Sequence, residues 1–273
     1  MKDSSGNPIT GVDTHAHIFS TDLPLTRERR YAPSYNATVD EYLGHLEAHN
    51  LSHGVLVQPS FLGTDNDYIA AAIAKHPTKL RGIAVVDPAI SDDELDALNE
   101  AGMVGIRLNL IQKPLEDYAS PSWQSFFKKV AARNWSVEIQ REIDDLADFL
   151  PSILESGVEV VVDHFAKTKQ IIDPSIASHE RFLNLLSQAP VWTKISAAYR
   201  CNANLENSIM SLNALRSAYG HSERLLWGSD WPHTQFEDRT GYQDQYEFMT
   251  RLLADSEERD TILILNPKQL FNF

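Results

Sequence analysis

Short apolar runs typical of buried β-strands alternate with longer runs of helical periodicity along the whole chain. Eight of the apolar runs predict strands, because they are short and mostly rich in Val, Ile and Leu. The predicted strands cover residues 11–19, 54–58, 81–86, 105–110, 136–140, 159–164, 192–196 and 225–229. Strands of this composition are buried on both faces, which favours a parallel sheet covered by helices.

Helix signals separate the predicted strands. Two are capping boxes, in which a Ser or Thr caps the first turn and a Glu three residues later completes the pair. Two others are prolines at a first helical position, where the missing N–H costs nothing. The capping boxes are Thr38 with Glu41 and Ser91 with Glu94, the prolines are Pro121 and Pro174, and further helical patterns cover 204–219 and 241–253.

Eight strands alternating with helices over 273 residues predict a (β/α)₈ TIM barrel, with residues 1–273 forming a single domain. The alternative is a doubly wound sheet. The first strand turn reads Asp-Thr-His-Ala-His and lacks the Gly-x-Gly-x-x-Gly of dinucleotide-binding sheets, which favours the barrel. The stretch 20–37 is basic at Arg27, Arg29 and Arg30 and predicts a loop over the top of the barrel.

Composition limits the partners of this chain. Lys and Arg total 24 against 38 Asp and Glu, for a net charge of −14, which disfavours nucleic acid and anionic membranes. No apolar run predicts a membrane span or a signal peptide. Cys201 is the single cysteine, so no internal disulfide can form and we expect a cytoplasmic protein. An anionic ligand would need a local cluster of basic side chains.

His15 and His17 lie one residue apart in the first predicted strand, so their side chains point to the same face. Two adjacent imidazoles can bind a metal ion or donate hydrogen bonds to a substrate oxygen. The alternative is a pair of structural histidines near a strand end. Their position in the barrel favours a function, because active sites of this fold lie at the carboxyl ends of the strands.

Other polar residues also fall at these ends. His164 ends the sixth predicted strand, and Asp230 and His233 follow the eighth. Asp230 is the best candidate for a general base, with a helix cap or an ion pair as the alternative. Arg107 interrupts an otherwise apolar strand and is expected to face the site. The remaining histidines fall in helical or loop patterns and are expected to be structural: His45, His49, His53, His76, His179 and His221.

The order His-x-His, His, Asp on strands one, six and eight resembles the amidohydrolase superfamily of barrel hydrolases. The resemblance is closer to its lactonase branch, which includes the lactonases of 2-pyrone-4,6-dicarboxylate, sugar acids and muconolactones. It covers nearly the whole chain and is carried by residues 57–66, 81–88, 105–109, 227–233 and 266–271.

The resemblance implies a hydrolase that opens a carboxylated lactone ring in the catabolism of aromatic compounds. Asp230 would activate the water, and His15, His17 and His164 would polarise the ester carbonyl. Arginines would hold the substrate carboxylates, consistent with their bidentate geometry. The implied substrate-binding residues are Arg107, Arg200, Tyr31, Ser60 and His233, together with Lys113 and Gln140, which replace an arginine and a tyrosine of members specialised for the pyrone. These two departures bear on the substrate rather than on the reaction.

The same resemblance raises the question of a metal cofactor. Two-metal members use a carbamate or carboxylate from strand four and a histidine from strand five, whereas these strands carry Arg107 and Glu138 here. We therefore expect no binuclear site. A single Zn²⁺ could be held by His15, His17, His164 and Asp230. The lactonase branch includes members that use no metal, and a neighbouring arginine repels a cation, so we predict that no metal is required.

Two other functions remain open from the sequence. A related barrel could decarboxylate an aromatic or unsaturated acid with a bound metal. The chain could also be a non-catalytic barrel that binds small carboxylates. The sequence does not predict an oligomeric state.

Overall fold

The computed structural model describes residues 1–27 and 29–273. Eight parallel strands follow one another around the sheet in chain order, which confirms the (β/α)₈ barrel. The strands are β1 (Val12–Ala16), β2 (His53–Val57), β3 (Leu80–Ala84), β4 (Met103–Asn109), β5 (Ser136–Gln140), β6 (Glu159–Val162), β7 (Val191–Lys194) and β8 (Leu225–Leu226).

Backbone hydrogen bonds between the first and last strands close the barrel. The Thr14 amide donates to the Trp227 carbonyl at 3.0 Å, and the Asp230 amide donates to the His15 carbonyl at 2.8 Å. β8 is therefore short as a regular strand, but the segment after it continues alongside β1. The closure brings Asp230 directly against the strand that carries His15.

Helices surround the barrel and are amphipathic. The helices are α1 (Val39–Ala48), α2 (Asp67–Lys75), α3 (Asp92–Glu100), α4 (Pro121–Ala132), α5 (Ile143–Leu154), α6 (Ala177–Leu186), α7 (Leu205–Tyr219), α8 (Tyr242–Leu252), α9 (Ser256–Asp260) and α10 (Asn266–Phe271), with a π-helical turn at Thr261–Leu265. Both predicted capping boxes form, and Pro121 occupies the first turn of α4. Among the described residues, no helix combines the length and apolar character needed to cross a bilayer.

Two sequence-based predictions are corrected. Pro174 does not begin a helix, because Asp173 accepts hydrogen bonds from the Ser175 and Ile176 amides and forms a turn, so that α6 starts at Ala177. His53 is not in a loop or helix but begins β2, where it is buried with its Nε2 3.3 Å from an Asp3 carboxylate oxygen.

The interior of the barrel is layered. Apolar side chains fill its lower part, including Val55, Val161 and Trp192, and α10 with Phe273 closes the bottom. Side chains two residues apart in a strand share a face, so Asp163 and Lys194 lie above Val161 and Trp192 on the inner side. The apolar layer thus supports a charged layer at the carboxyl ends of the strands.

Candidate active site

Asp230 lies at the centre of three histidines at the top of the barrel. Its Oδ1 is 3.8 Å from His15 Nε2, 3.7 Å from His17 Nε2 and 3.8 Å from His164 Nε2, and all four side chains are buried. Among the described residues, neither Asp230 Oδ1 nor His164 Nε2 has a hydrogen-bond partner. Buried polar atoms are normally paired, so these two atoms are free to act on a ligand.

Strained backbone holds two of these residues in place. His164 has φ 53° and Asp230 has φ 61°, in the left-handed region that non-glycine residues seldom adopt. His164 begins a left-handed turn that continues through Lys167, with φ between 49° and 54° at each residue. Such conformations cost about 1–3 kcal/mol each and concentrate at functional sites. They turn the chain after β6 and β8 and aim the side chains inward, and β6 ends before the first of them.

The second oxygen of Asp230 is held by two donors. Tyr199 Oη and Arg200 Nε both donate to Oδ2, and Arg200 Nη2 also donates to the Thr234 carbonyl at 3.2 Å. Burial would raise the pKa of Asp230, but the Arg200 guanidinium and the three imidazoles hold that pKa well below its usual range. Asp230 is therefore an ionised carboxylate with one oxygen free to accept a proton.

The three imidazoles are neutral. Burial and the Arg107 guanidinium lower the pKa of His17 to about 4, and burial lowers the pKa of His164 to about 3. Burial and Lys194 lower the pKa of His15 well below its usual range. His17 Nδ1 lies 2.7 Å from the Val57 carbonyl oxygen, which can only accept. His17 therefore carries its proton on Nδ1 and presents an Nε2 lone pair to the site.

A charged layer underlies the histidines and consists of Arg107, Glu138, Asp163 and Lys194, all buried. Arg107 Nε and Nη2 donate to Asp163 Oδ2 at 3.0 and 2.7 Å, and Lys194 Nζ donates to Glu138 Oε1 at 2.6 Å. Burial raises the pKa of Glu138 to about 7 despite Lys194. The same burial acts on Asp163, but Arg107 and Lys194 hold its pKa well below the usual range. Each of the strands β4 to β7 thus contributes one charged residue to the layer, in the case of β6 the residue that directly follows it, and the pairs are Arg107 with Asp163 and Lys194 with Glu138.

A cavity of about 320 Å³ opens above Asp230 and is predominantly cationic. Four basic side chains line it, against the carboxylates of Asp230 and Glu142. A chain with a net charge of −14 therefore has a local site that favours an anionic ligand. The basic lining residues are Arg30, Arg107, Lys167 and Arg200.

The structure brings most of the predicted site residues to this cavity. His17, Tyr31, Ser60, Arg107, Gln140, Arg200 and Asp230 line it. His15 and His164 lie beside Asp230 at its base. His233 does not line it and contacts the Tyr199 hydroxyl at 3.2 Å through Nδ1. Lys113 lines an adjoining cavity of about 420 Å³, to which Arg30 and Arg107 also contribute.

Several contributors were not assigned from the sequence. Arg30 lies in the basic loop beside Tyr31, and its Nη2 donates to Gln140 Oε1 at 3.4 Å. Tyr31 itself donates its hydroxyl to Glu237, as Tyr35 does at 2.8 Å. Glu138 and Lys194 were visible as charged residues within apolar strands, which is the signal that could have identified the charged layer.

The histidines and Asp230 have the spacing of a metal site but not its hydrogen bonding. Donors of a tetrahedral zinc ion lie about 3.4 Å apart, and His15 Nε2 is 3.3 Å from His17 Nε2. A ligating histidine donates its other N–H to a carboxylate or carbonyl. His15 Nδ1 instead receives a hydrogen bond from the Lys194 ammonium at 3.0 Å. The donor set as arranged therefore does not fit a metal ion bound through His15 Nε2.

Comparisons with known proteins identify the family and the relatives of this chain. A family model described as amidohydrolase matches residues 12–273. A solved structure from Acinetobacter baumannii, described as a probable 2-pyrone-4,6-dicarboxylic acid hydrolase with citric acid bound, is 39% identical with a TM-score of 0.92, over 97% of this chain and 100% of that one. The 2-pyrone-4,6-dicarboxylate hydrolase of Comamonas testosteroni is 27% identical over 97% of this chain and 90% of its own. The 4-sulfomuconolactone hydrolase of Rhizobium radiobacter is 25% identical over the same shares.

Proposed function

The chain belongs to the amidohydrolase family, and from this premise we propose that it hydrolyses the ring ester of a carboxylated lactone of the 2-pyrone-4,6-dicarboxylate type. The main support for this proposal is the arrangement around Asp230. The free oxygen of an ionised Asp230 faces three neutral imidazoles at the base of a cationic cavity. Relatives named for a dicarboxylate and for a sulfonated lactone support an anionic ring ester as the substrate class.

The reaction begins with a water molecule between Asp230 Oδ1 and the ester carbonyl. Asp230 takes one proton as the water oxygen bonds to the carbonyl carbon, which places negative charge on the carbonyl oxygen. A preorganised N–H donor from an imidazole stabilises this oxyanion. Collapse of the intermediate breaks the bond between the carbonyl carbon and the ring oxygen, and Asp230 returns its proton to the ring oxygen. The product is an open-chain acid, whose new carboxyl group releases its proton to solvent and becomes a carboxylate.

The hydrogen bonds suggest different roles for His15 and His17. His15 receives the Lys194 N–H on Nδ1, so its Nε2–H is the donor available to the oxyanion. His17 donates to Val57 through Nδ1, and its Nε2 lone pair is suited to accept the second hydrogen of the attacking water. We propose that His17 orients the water, whereas the family resemblance placed it among the donors to the carbonyl.

The basic side chains of the cavity would bind the anionic groups of the substrate. Arg107 is tied to Asp163, and Arg200 is tied to Asp230. Arg30 has a weaker tie, the 3.4 Å hydrogen bond to Gln140, and lies in the loop between β1 and α1. We assign Arg30 and Gln140 to an anionic group far from the reacting ester.

Replacing Arg30 with Gln is expected to raise KM for a dianionic lactone about tenfold, because a charged hydrogen bond contributes about 1.5–3 kcal/mol and exposure reduces it. The effect should disappear for a lactone that lacks the distal anionic group. Steady-state kinetics with the two substrates measures the difference. Arg27→Gln, in the same loop but outside the cavity lining, is the matched control, and an equal rise in KM in both variants would contradict the assignment.

The rate should vary little with pH near neutrality. The proposed reaction needs neutral imidazoles and an ionised Asp230, and the pKa values of His17 and His164 are lowered to about 4 and about 3. Protonation therefore abolishes activity only as the pH falls through about 4, well below the usual titration range of histidine. A profile of kcat/KM from pH 5 to 8, corrected for uncatalysed hydrolysis, is expected to show no inflection from a histidine, and Glu138→Gln removes the one charged-layer group whose pKa is raised into this range. An acid inflection near pH 6.5 that persists in Glu138→Gln would contradict these protonation states.

The function itself is tested with purified protein and a panel of carboxylated and sulfonated lactones. Ring opening is followed by absorbance, and reaction in H₂¹⁸O should place the label in the new carboxylate rather than in the leaving hydroxyl. Parallel assays for CO₂ release from aromatic acids examine the decarboxylase alternative. No turnover of any lactone, with or without added Zn²⁺, would overturn the proposal, and CO₂ release would replace it.

We further propose that the reaction requires no metal cofactor and that the protein binds a small anionic lactone and neither nucleic acid nor a membrane. The hydrogen bonding of His15 supports the first point. The single cysteine, Cys201, is buried, which suits a protein of the reducing cytoplasm.

A further inference from the structure

We infer that Lys194 is a positioning residue that fixes the tautomer of His15, so that His15 presents an N–H to the site and does not bind a metal ion through that atom. The inference rests on the proposed function for its catalytic consequence. The tautomer and the exclusion of metal are independent of that function and can be measured without a substrate.

Lys194 is fully buried, and its ammonium group has three polar neighbours. Its Nζ lies 2.6 Å from Glu138 Oε1, 3.0 Å from His15 Nδ1 and 3.5 Å from Asp163 Oδ1. An ammonium group donates and cannot accept. A proton on His15 Nδ1 would therefore place two donors 3.0 Å apart, so the Nδ1 atom must carry the lone pair and Nε2 the proton.

The neighbouring hydrogen bonds agree with this tautomer. His15 Nε2 is 3.3 Å from His17 Nε2, which carries a lone pair because His17 donates to the Val57 carbonyl through Nδ1. Donors thus run in one direction from Lys194 through His15 and His17 to Val57. When an ester carbonyl binds near His15 Nε2, its oxygen would replace His17 Nε2 as the acceptor of the His15 N–H. That N–H is already oriented by the Lys194 hydrogen bond on the other side of the ring.

Asp163 shows what Lys194 prevents. Its Oδ1 is 3.4 Å from His15 Nδ1 and has no hydrogen-bond partner among the described residues. Without the ammonium, Asp163 Oδ1 would accept a hydrogen bond from an N–H at His15 Nδ1, and the Nε2 lone pair would face His17 and Asp230. Metal-binding histidines usually have this arrangement, in which one ring nitrogen donates to a carboxylate and the other presents its lone pair to the ion. The presence of Lys194 therefore decides whether His15 Nε2 is a hydrogen-bond donor or a metal ligand.

The test variant must remove the ammonium without leaving an uncompensated charge. Lys194→Met combined with Glu138→Gln removes one cation and one carboxylate together, and Glu138→Gln alone keeps Lys194 as the matched control. Metal-free protein labelled with ¹⁵N-histidine gives two-bond ¹H–¹⁵N spectra that distinguish the two tautomers, and the His15 signal is assigned by its loss in His15→Gln. Zn²⁺ binding is measured by calorimetry on the same samples.

We expect the His15 proton on Nε2 in the parent and in Glu138→Gln, and on Nδ1 in the double variant. Zn²⁺ affinity should rise about 10–100-fold in the double variant, the range by which second-shell partners change metal affinity. A parent protein with the proton on Nδ1 would overturn the inference without any variant. An unchanged tautomer or an unchanged Zn²⁺ affinity in the folded double variant would also overturn it. Failure to hydrolyse any lactone would contradict the proposed function only. The tautomer and Zn²⁺ affinity measurements would still decide whether Lys194 fixes the His15 tautomer.

Discussion

Replacing Asp230 with Asn is expected to lower kcat by a factor of about 10³, within the range of about 10²–10⁴ typical of a general base. The amide retains the shape of the side chain but cannot take a proton from water. It also leaves Arg200 without its carboxylate partner, so thermal unfolding is measured alongside steady-state kinetics to separate lost chemistry from lost stability.

Asp238→Asn is the matched control for this variant, because Asp238 is exposed in the same loop after β8. We expect its kcat to equal that of the parent. A general base contributes at least about 10²-fold to the rate. If Asp230→Asn retained more than about a tenth of the parental kcat, the loss would be too small for that role, and Asp230 would not be the general base. Undiminished ligand binding together with no activity on any substrate in the parent would instead favour a non-catalytic binding barrel.

Replacing His15 with Leu is expected to lower kcat by a factor of about 10²–10³, the usual cost of one oxyanion donor. Leu fills a similar volume but offers no N–H. His15→Gln is the informative partner, since its amide can donate a hydrogen bond from a position close to Nε2, and it should recover part of the loss.

The contrast between these two variants is measured as kcat on the same lactone, with His221→Leu at an exposed position as the control. Equal and large losses in the Leu and Gln variants would show that His15 acts through something other than hydrogen-bond donation. A parental kcat in His15→Leu would exclude His15 from the reaction.

The fold was predictable because each barrel strand carries its own local signal. Apolar runs and capping boxes such as Thr38 with Glu41 depend on neighbours in sequence, and the structure places them as expected. The exceptions also have local causes. At Pro174 a turn around Asp173 competes with the helix, and β6 ends before His164, whose left-handed backbone residue type alone does not predict.

The sequence predicted most of the residues that form the candidate site but not the hydrogen bonds between them. Strand ends identified His15, His17, His164 and Asp230, since barrel topology brings those ends together. The partners of these residues depend on contacts between distant strands. The Arg200 contact with Asp230 spans α7 and β8, and the Lys194 contact with His15 joins residues 179 positions apart. No periodicity or motif encodes such pairs, so the hydrogen-bond direction at His15 came only from the structure.

Arg200 shows how this limits the prediction of roles. The family resemblance implies that Arg200 holds a substrate carboxylate, and Arg200 does line the cavity. Its Nε is already bound to Asp230, where it keeps the pKa of that carboxyl low. We therefore expect Arg200 to serve the base as well as the substrate.

The central claim is that Asp230 and the oriented imidazoles hydrolyse an anionic lactone without a metal ion. The most direct test is the turnover of such a lactone by protein treated with a chelator, with the residual metal content determined by atomic emission. We expect kcat to be the same before and after metal removal and not to rise when Zn²⁺ is added back. Activity that disappears with the metal and returns in proportion to added divalent ion would contradict it.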